Sequence, residues 1–205
     1  MKQILLILIY LTNTLVAAEL KHITIGNQDF SLTTEKYDIY DSKGEVLKLY
    51  REEQNNNLTF ILSLVLKDRT GGCSDKSIED GYYEINGTTL TLYSHWQRSG
   101  KAYDAPYGAR IQVYKLKNNY ALVRTSSKLY IETQKAHYNE DSGMKYLFKA
   151  PQTKEEKANL KAYISRVEHD YNGTFVYADE AQKLITEVED AMRRKMKSIW
   201  NLSKK

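Results

Sequence analysis

The sequence is short of several features that define common classes of protein. It contains one cysteine, Cys73, so no disulfide can form within the chain. Its formal net charge of +4 at pH 7 is too small to suggest a nucleic-acid partner. Its histidines are scattered, and no two have the i, i+4 spacing of a helical zinc site; they are His22, His95, His137 and His169. We therefore predict a protein without metal or cofactor whose stability comes from its apolar core.

One strongly apolar run lies at the beginning of the chain. Lys2 precedes apolar residues from Ile4 to Leu11, and Val16-Ala17-Ala18 follows with small residues at the two positions that signal peptidase recognises. The run is shorter than the roughly 20 residues that a membrane-spanning helix needs. We predict a cleaved secretory signal over residues 1–18 and a soluble protein that is periplasmic or secreted. A bacterial origin is favoured because eukaryotic secreted proteins of this size usually carry several disulfides.

The stretch from Gly81 to Thr133 has a side-chain period close to two, which is typical of β-strands. In Thr89 to Trp96, for example, Leu90 and Leu92 share a face with Trp96. Short polar pairs divide the stretch and predict turns; they are Asn86-Gly87, Asn118-Asn119 and Ser126-Ser127. The chain has 17 tyrosines and only 4 phenylalanines, and tyrosine suits half-exposed sheet faces. Strands joined by such short turns predict an antiparallel meander.

The earlier part of the chain continues this pattern. A turn at Gly26-Asn27-Gln28 predicts one hairpin, and Asp41 to Gly44 predicts a type I turn in a second. Leu58 to Leu66 is apolar on both faces, as in a strand in the middle of a fold. We expect about eight to ten strands before residue 135, in a curled sheet, barrel or sandwich, and a last short strand at Lys145 to Lys149.

The character of the chain changes after Pro151. Thr153 and Glu156 form a capping box, and apolar residues at helical spacing follow until Asn172-Gly173 stops the helix. A second helix is predicted from Asp179, with an apolar stripe that runs Ala181, Leu184, Ile185, Val188, Met192, Ile199. The fold class is therefore α+β, with an antiparallel β domain at residues 19–150. Residues 151–205 form a pair of amphipathic helices that pack on it as one structural unit.

A longer connection between two strands is the best candidate for a binding site. Between Ser94 and Arg110 the sequence groups aromatic rings with charged side chains; they are His95, Trp96, Arg98, Tyr103, Asp104, Tyr107 and Arg110. Rings that stack and arginines that grip carboxylates or phosphates are typical of a ligand-binding loop. The alternative is that Trp96 and Tyr107 belong to the core and that Arg110 pairs with Asp104 at the surface.

Two function hypotheses follow, with a weaker third. The first is an exported non-enzymatic protein that binds a small ligand or envelope component through the loop 94–110. The second is an interaction or inhibitor protein that uses a sheet edge or its basic C-terminal helix, where Met192, Met196 and Trp200 alternate with lysines and arginines. That helix could also lie on an anionic membrane. The third is a hydrolase that uses His95 or Cys73, although no Gly-x-Ser-x-Gly motif supports it.

Overall fold

A computed structural model describes most of the chain. The described residues are 20–39, 41–53, 57–71, 76–99, 107–118, 121–132 and 151–202. The predicted signal at 1–18 and the predicted strand at Lys145 to Lys149 lie outside them. Within the described part, nine strands form one sheet whose spatial order follows the sequence, β1 to β9.

The first eight strands form an antiparallel meander. They are β1 (Leu20–Ile25), β2 (Gln28–Ile39), β3 (Ser42–Glu52), β4 (Leu58–Gly71), β5 (Lys76–Asn86), β6 (Thr89–Ser99), β7 (Tyr107–Lys117) and β8 (Ala121–Glu132). Helix α1 (Lys154–Tyr171) follows, then the two-residue strand β9 (Thr174–Phe175), which pairs parallel to β8, and then helix α2 (Ala178–Leu202). The predicted α+β class, with a curled meander covered by two C-terminal helices, is confirmed.

The sheet folds over between β4 and β5. These two strands pair only where Lys67 to Gly71 meets Lys76 to Asp80, and beyond that point each strand keeps only its other neighbour. At the place where they part, Gly81 lies so close to the Val65 carbonyl that a side chain would not fit between them. The missing Cβ therefore allows the two halves of the sheet to approach.

An apolar core fills the space between the two halves. Leucines dominate it, and it draws on both halves: Ile25, Phe30, Leu32, Leu47, Leu49, Leu62, Leu64, Leu90 and Leu92. At one end the halves also meet through their turns, because the Gly26 amide donates to the Gly87 carbonyl at 2.9 Å. Leu58 and Phe60, at the start of β4, are nevertheless exposed, so only the later part of the predicted central strand is buried.

The helices add a second core on β6 to β8. Helix α1 begins with the predicted capping box, since Thr153 and Glu156 each accept from the other's backbone amide, and it ends at Asn172 in the left-handed conformation. Its buried residues are Leu160, Tyr163 and Val167. Helix α2 buries Ala181, Leu184, Val188 and Ala191. Because α2 covers the second face of β6, Tyr93 is buried as well as Leu92, and the strand is not half-exposed as its alternation alone suggests.

Two of the predicted turns are misplaced. Ser126 and Ser127 lie inside β8, opposite Val113 and Gln112, and no turn divides the strand there. The register shifts beside Val113, so a β-bulge absorbs the extra residue and the strand continues. Gly44 was expected to end a turn but lies within β3 opposite Tyr37, whose ring occupies the space that a side chain at position 44 would need. The Asn86-Gly87 turn is confirmed, with Gly87 at a φ of 57°.

Substitution of Gly81 tests the close approach of β4 and β5. Gly81→Ala places a Cβ against the Val65 carbonyl, so the two backbones must move apart, and we expect a loss of about 1–3 kcal/mol in the free energy of unfolding. Gly87→Asn is the control, because that position is open and asparagine tolerates its positive φ; we expect a change within about 0.5 kcal/mol. Urea unfolding measures both, and equal stabilities would contradict the role of Gly81.

Candidate functional site

The predicted loop is shorter in the structure than in the sequence pattern. Strand β6 continues to Ser99 and β7 begins at Tyr107, because Trp96 still pairs with Gly108 and Gln97 with Tyr107. Tyr103 and Asp104 lie outside the described residues, and for Arg98 and Tyr107 only the backbone is described. His95, Trp96 and Arg110 are therefore strand residues, and the part they play in binding stays a prediction.

Trp96 joins the sheet to helix α1. Its ring lies over Gly108, where a Cβ would be about 2.0 Å from the indole. It stacks on Tyr171 with 6.3 Å between ring centroids and an interplanar angle of 9°. The side chain is only 7% exposed. This packing matches the alternative interpretation in which Trp96 belongs to the core.

Arg110 lies beside this stack with its guanidinium carbon 6.0 Å from the Trp96 ring centroid. Its Nε is buried and has no hydrogen-bond acceptor among the described residues. Burial lowers the pKa of Arg110, and the nearby Glu79 carboxylate opposes this shift. A buried donor without an acceptor costs stability.

Strand pairing places further polar side chains in a row across the sheet beside Trp96. The sequence did not predict this row. Asp68 pairs with Glu79, and Glu79 pairs with Trp96, so two carboxylates lie side by side next to the tryptophan. Tyr37 donates to Asp68 Oδ1 at 2.7 Å, and burial together with Asp68 and Glu79 raises the pKa of Tyr37 to about 12. Like charges on neighbouring strands repel, and the Tyr37 hydroxyl offsets part of that repulsion. Only the register, which spans distant positions, reveals this row.

His95 lies on the opposite face of β6, under helix α2. It pairs with Asp80 across the strands, and Arg69 Nη2 donates to both Asp80 oxygens at 2.9 Å. Burial lowers the pKa of His95, while Asp80 and Glu189 oppose the shift. The structure thus brings Trp96 and Arg110 together and separates His95 from them.

The hydrolase hypothesis, which names His95 or Cys73, stays a prediction. Cys73 lies outside them. On β1 to β3, the Ser31 hydroxyl donates to Glu52 at 2.6 Å, and His22 Nδ1 contacts the same oxygen at 2.6 Å. The hydroxyl proton is therefore directed to a carboxylate, whereas nucleophilic catalysis directs it to the imidazole. No group of three or more metal-binding side chains occurs in the described part of the chain.

The second half of helix α2 is held to the sheet by two consecutive cations. Arg194 Nε donates to Glu84 Oε1 at 2.6 Å, and its guanidinium lies 5.9 Å from the Tyr93 ring centroid. Lys195 Nζ donates to the carbonyls of Leu66 and Gly81, both at 2.8 Å. These carbonyls lie where β4 and β5 part, so the ammonium group occupies the place of a neighbouring strand. Burial lowers the pKa of Lys195, and Asp80 opposes the shift.

Beyond this anchor the helix presents large apolar side chains to solvent. Residues 196–202, here called the helix end, include Met196 at 65% exposed, Ile199 at 52% and Trp200 at 63%. Ile199 was predicted on the buried stripe, but about half of its side chain is exposed in the structure. The basic helix that the sequence singled out is thus packed in its first part and exposed at its end.

Comparison with known proteins found no family model, no curated protein and no solved structure that matches this chain. Within the described residues, neither helix combines the length and the apolar character that crossing a bilayer requires.

Lys195→Met tests the anchor of α2. The substitution keeps the length and packing of the side chain but leaves the Leu66 and Gly81 carbonyls without their donor, so we expect a loss of about 1–3 kcal/mol in the free energy of unfolding. Lys197→Met is the matched control on an exposed position, and we expect a change within about 0.5 kcal/mol. If urea unfolding gives the same value for the two variants, Lys195 does not hold the helix.

Proposed function

We propose that this chain is an exported, non-enzymatic binding protein that contacts its partner through the helix end. The observation that carries the proposal is the exposure of Met196, Ile199 and Trp200 on adjacent turns of one helix. Their i, i+3, i+4 spacing places them on one face. Exposed large apolar residues that cluster in this way mark interaction surfaces more often than residues that are exposed singly.

The anchor formed by Arg194 and Lys195 supports this proposal. A helix that served only to cover the sheet could end where its buried stripe ends, near Ala191 and Met192. Instead, α2 continues to Leu202, and two cations fix its direction just before the helix end. The apolar face is therefore presented on a rigid support. Export rests on the sequence pattern of residues 1–18.

Site-specific photocrosslinking tests this function whatever the chemical nature of the partner. A benzophenone side chain replaces Ile199 in the whole chain, expressed in cells with its own N-terminal segment. We expect light-dependent adducts with lipid or protein at this position, because its side chain faces outward. The same group at Lys161, an exposed position on α1, is the control. If Ile199 yields no more adduct than Lys161, the helix end is not a contact surface and the proposal fails.

A second candidate function is the binding of a small anionic ligand at Arg110. The observation that favours it is the buried Nε, which has no acceptor among the described residues although a stacked Trp96 and Tyr171 lie beside it. A carboxylate or phosphate would accept from the guanidinium fork in two places. This candidate retains Trp96 and Arg110, the two residues of the predicted loop site that the strands bring together.

A thermal-shift screen against small carboxylates and phosphates tests the second candidate. A ligand at 100 times its dissociation constant adds about 2.7 kcal/mol to stability, which gives a measurable rise in melting temperature. We expect the rise to disappear in Arg110→Lys, which retains a positive charge but loses the fork. Arg51→Lys, on β3, is the control and should keep the full shift. A shift that survives in Arg110→Lys would place the ligand elsewhere, and the lack of any shift would remove this candidate.

A further inference from the structure

We propose that the partner of the helix end is an anionic lipid surface, and that a cationic groove beside it on the sheet binds the lipid headgroups. This inference rests on the proposed function, since it names the partner for the same helix end. It draws on the charge of the helix, on the groove and on the small number of exposed apolar side chains.

Charge is strongly segregated along α2. Its first half contains the acidic residues, which are Asp179, Glu180, Glu187, Glu189 and Asp190. From Ala191 to Lys205 the sequence has no acidic residue, and its basic residues are Arg193, Arg194, Lys195, Lys197, Lys204 and Lys205. Arg193 pairs with Glu189 and Asp190, and Arg194 pairs with Glu84, so these two charges are partly compensated. Lys197 is exposed and lies between Met196 and Ile199 in the sequence, so the helix end carries a positive charge as well as exposed apolar side chains.

A groove of about 640 Å³ crosses strands β2 to β4 on the sheet. Its charged lining is formed by Lys36, Lys43, Lys67, Arg69, Asp38 and Glu45, so cations exceed acids by two. Lys43 pairs with Asp38 at 2.8 Å and Arg69 pairs with Asp80. In the strand register Glu45 lies between Lys36 and Lys67, so one carboxylate lies among two lysines. The groove therefore has positive charge available for an anionic group.

The groove and the helix end lie next to each other. Lys195, which immediately precedes the helix end, interacts electrostatically with Glu45, Lys67 and Arg69, three residues of the groove lining. Lys195 also contacts the Leu66 carbonyl, one residue before Lys67. An object that covers the exposed apolar side chains can thus meet the lysines of the groove at the same time. In the proposed arrangement the helix end and the groove therefore contact the same partner.

A lipid surface fits this combination better than a protein does. A stable protein interface buries about 800 Å² on each partner, usually around a central apolar cluster, and three side chains on a helix end supply a small part of that. Reversible membrane binding needs less: a few apolar side chains in the headgroup layer together with several cations near anionic lipids. Tryptophan is also the side chain most typical of the membrane interface.

Vesicle binding tests the inference. The protein is expressed from the whole sequence and purified in the form in which it accumulates in the cell. The probes are vesicles of mixed phosphatidylglycerol and phosphatidylcholine, with pure phosphatidylcholine for comparison. Trp200 reports binding, because it is 63% exposed whereas Trp96 is 7% exposed. We expect its emission to shift to the blue with the anionic vesicles, and we expect the bound fraction to fall as salt is raised.

Substitutions distinguish the contribution of the helix end from that of the groove. Co-sedimentation measures the vesicle binding of each variant and does not depend on tryptophan emission. Ile199→Ser should weaken binding to anionic vesicles about tenfold, since it removes a large apolar side chain from the headgroup layer. The double variant Lys36→Gln/Lys67→Gln should weaken it about fivefold for each lysine. The control is Lys157→Gln/Lys161→Gln on α1, which has the same change in charge and should bind nearly as wild type does. Thermal unfolding confirms that each variant is folded.

Several results would overturn the inference. Equal binding to neutral and anionic vesicles, or no binding to either, excludes an anionic lipid surface. Equal losses in the groove and control variants exclude the groove. A concentration-dependent dimer in light scattering that Ile199→Ser abolishes makes a second copy the occupant. If vesicles do not bind but the crosslinker at Ile199 captures protein, the proposed function stands and only the lipid inference fails; if neither occurs, both fail.

Discussion

The parting of β4 from β5 is the constraint on which the rest of this structure depends. An antiparallel meander of eight strands that stayed paired along their whole length would leave its leucine face in water. Because the two strands separate after a short ladder, the halves fold toward each other and enclose that face. The separation leaves the Leu66 and Gly81 carbonyls without strand partners, and buried carbonyls without donors are costly. Lys195 supplies those donors from a helix more than a hundred residues later in the chain.

This arrangement links the fold to the surface proposed for binding. The ammonium group that completes the hydrogen bonding of the sheet also holds α2 to it immediately before the helix end. The helix end beyond it is therefore both fixed in direction and exposed. A flexible tail with the same residues would lose more conformational entropy on binding, whereas a helix that is already ordered loses less. The same side chain thus stabilises the junction and orders the helix end proposed for binding.

The sequence predicted the parts of this architecture that local patterns determine. The capping box at Thr153 and Glu156, the left-handed cap at Asn172 and the Asn86-Gly87 turn each depend on a few neighbouring residues, and all three are found. Ser126-Ser127 failed as a turn because the choice between a turn and a bulge depends on the partner strand. The row of Tyr37, Asp68, Glu79 and Trp96 could not be predicted, since it requires the register of five strands. The exposure of Ile199 could not be predicted either, because an apolar stripe on a helix does not show how far the sheet extends under that helix.

The two aromatic rings that lie over glycines have a consequence for the accuracy of folding. Tight turns fix strand alignment at one end of the meander, but the seven residues between β6 and β7 permit several alignments. If β7 slipped by one residue, Trp96 would face the Cβ of Ala109, and the indole would lose the space that only Gly108 provides. Tyr37 and Gly44 impose the same condition on β2 and β3. Each large ring thus fits only where its partner strand supplies a glycine, so a misaligned sheet would bring a ring against a side chain.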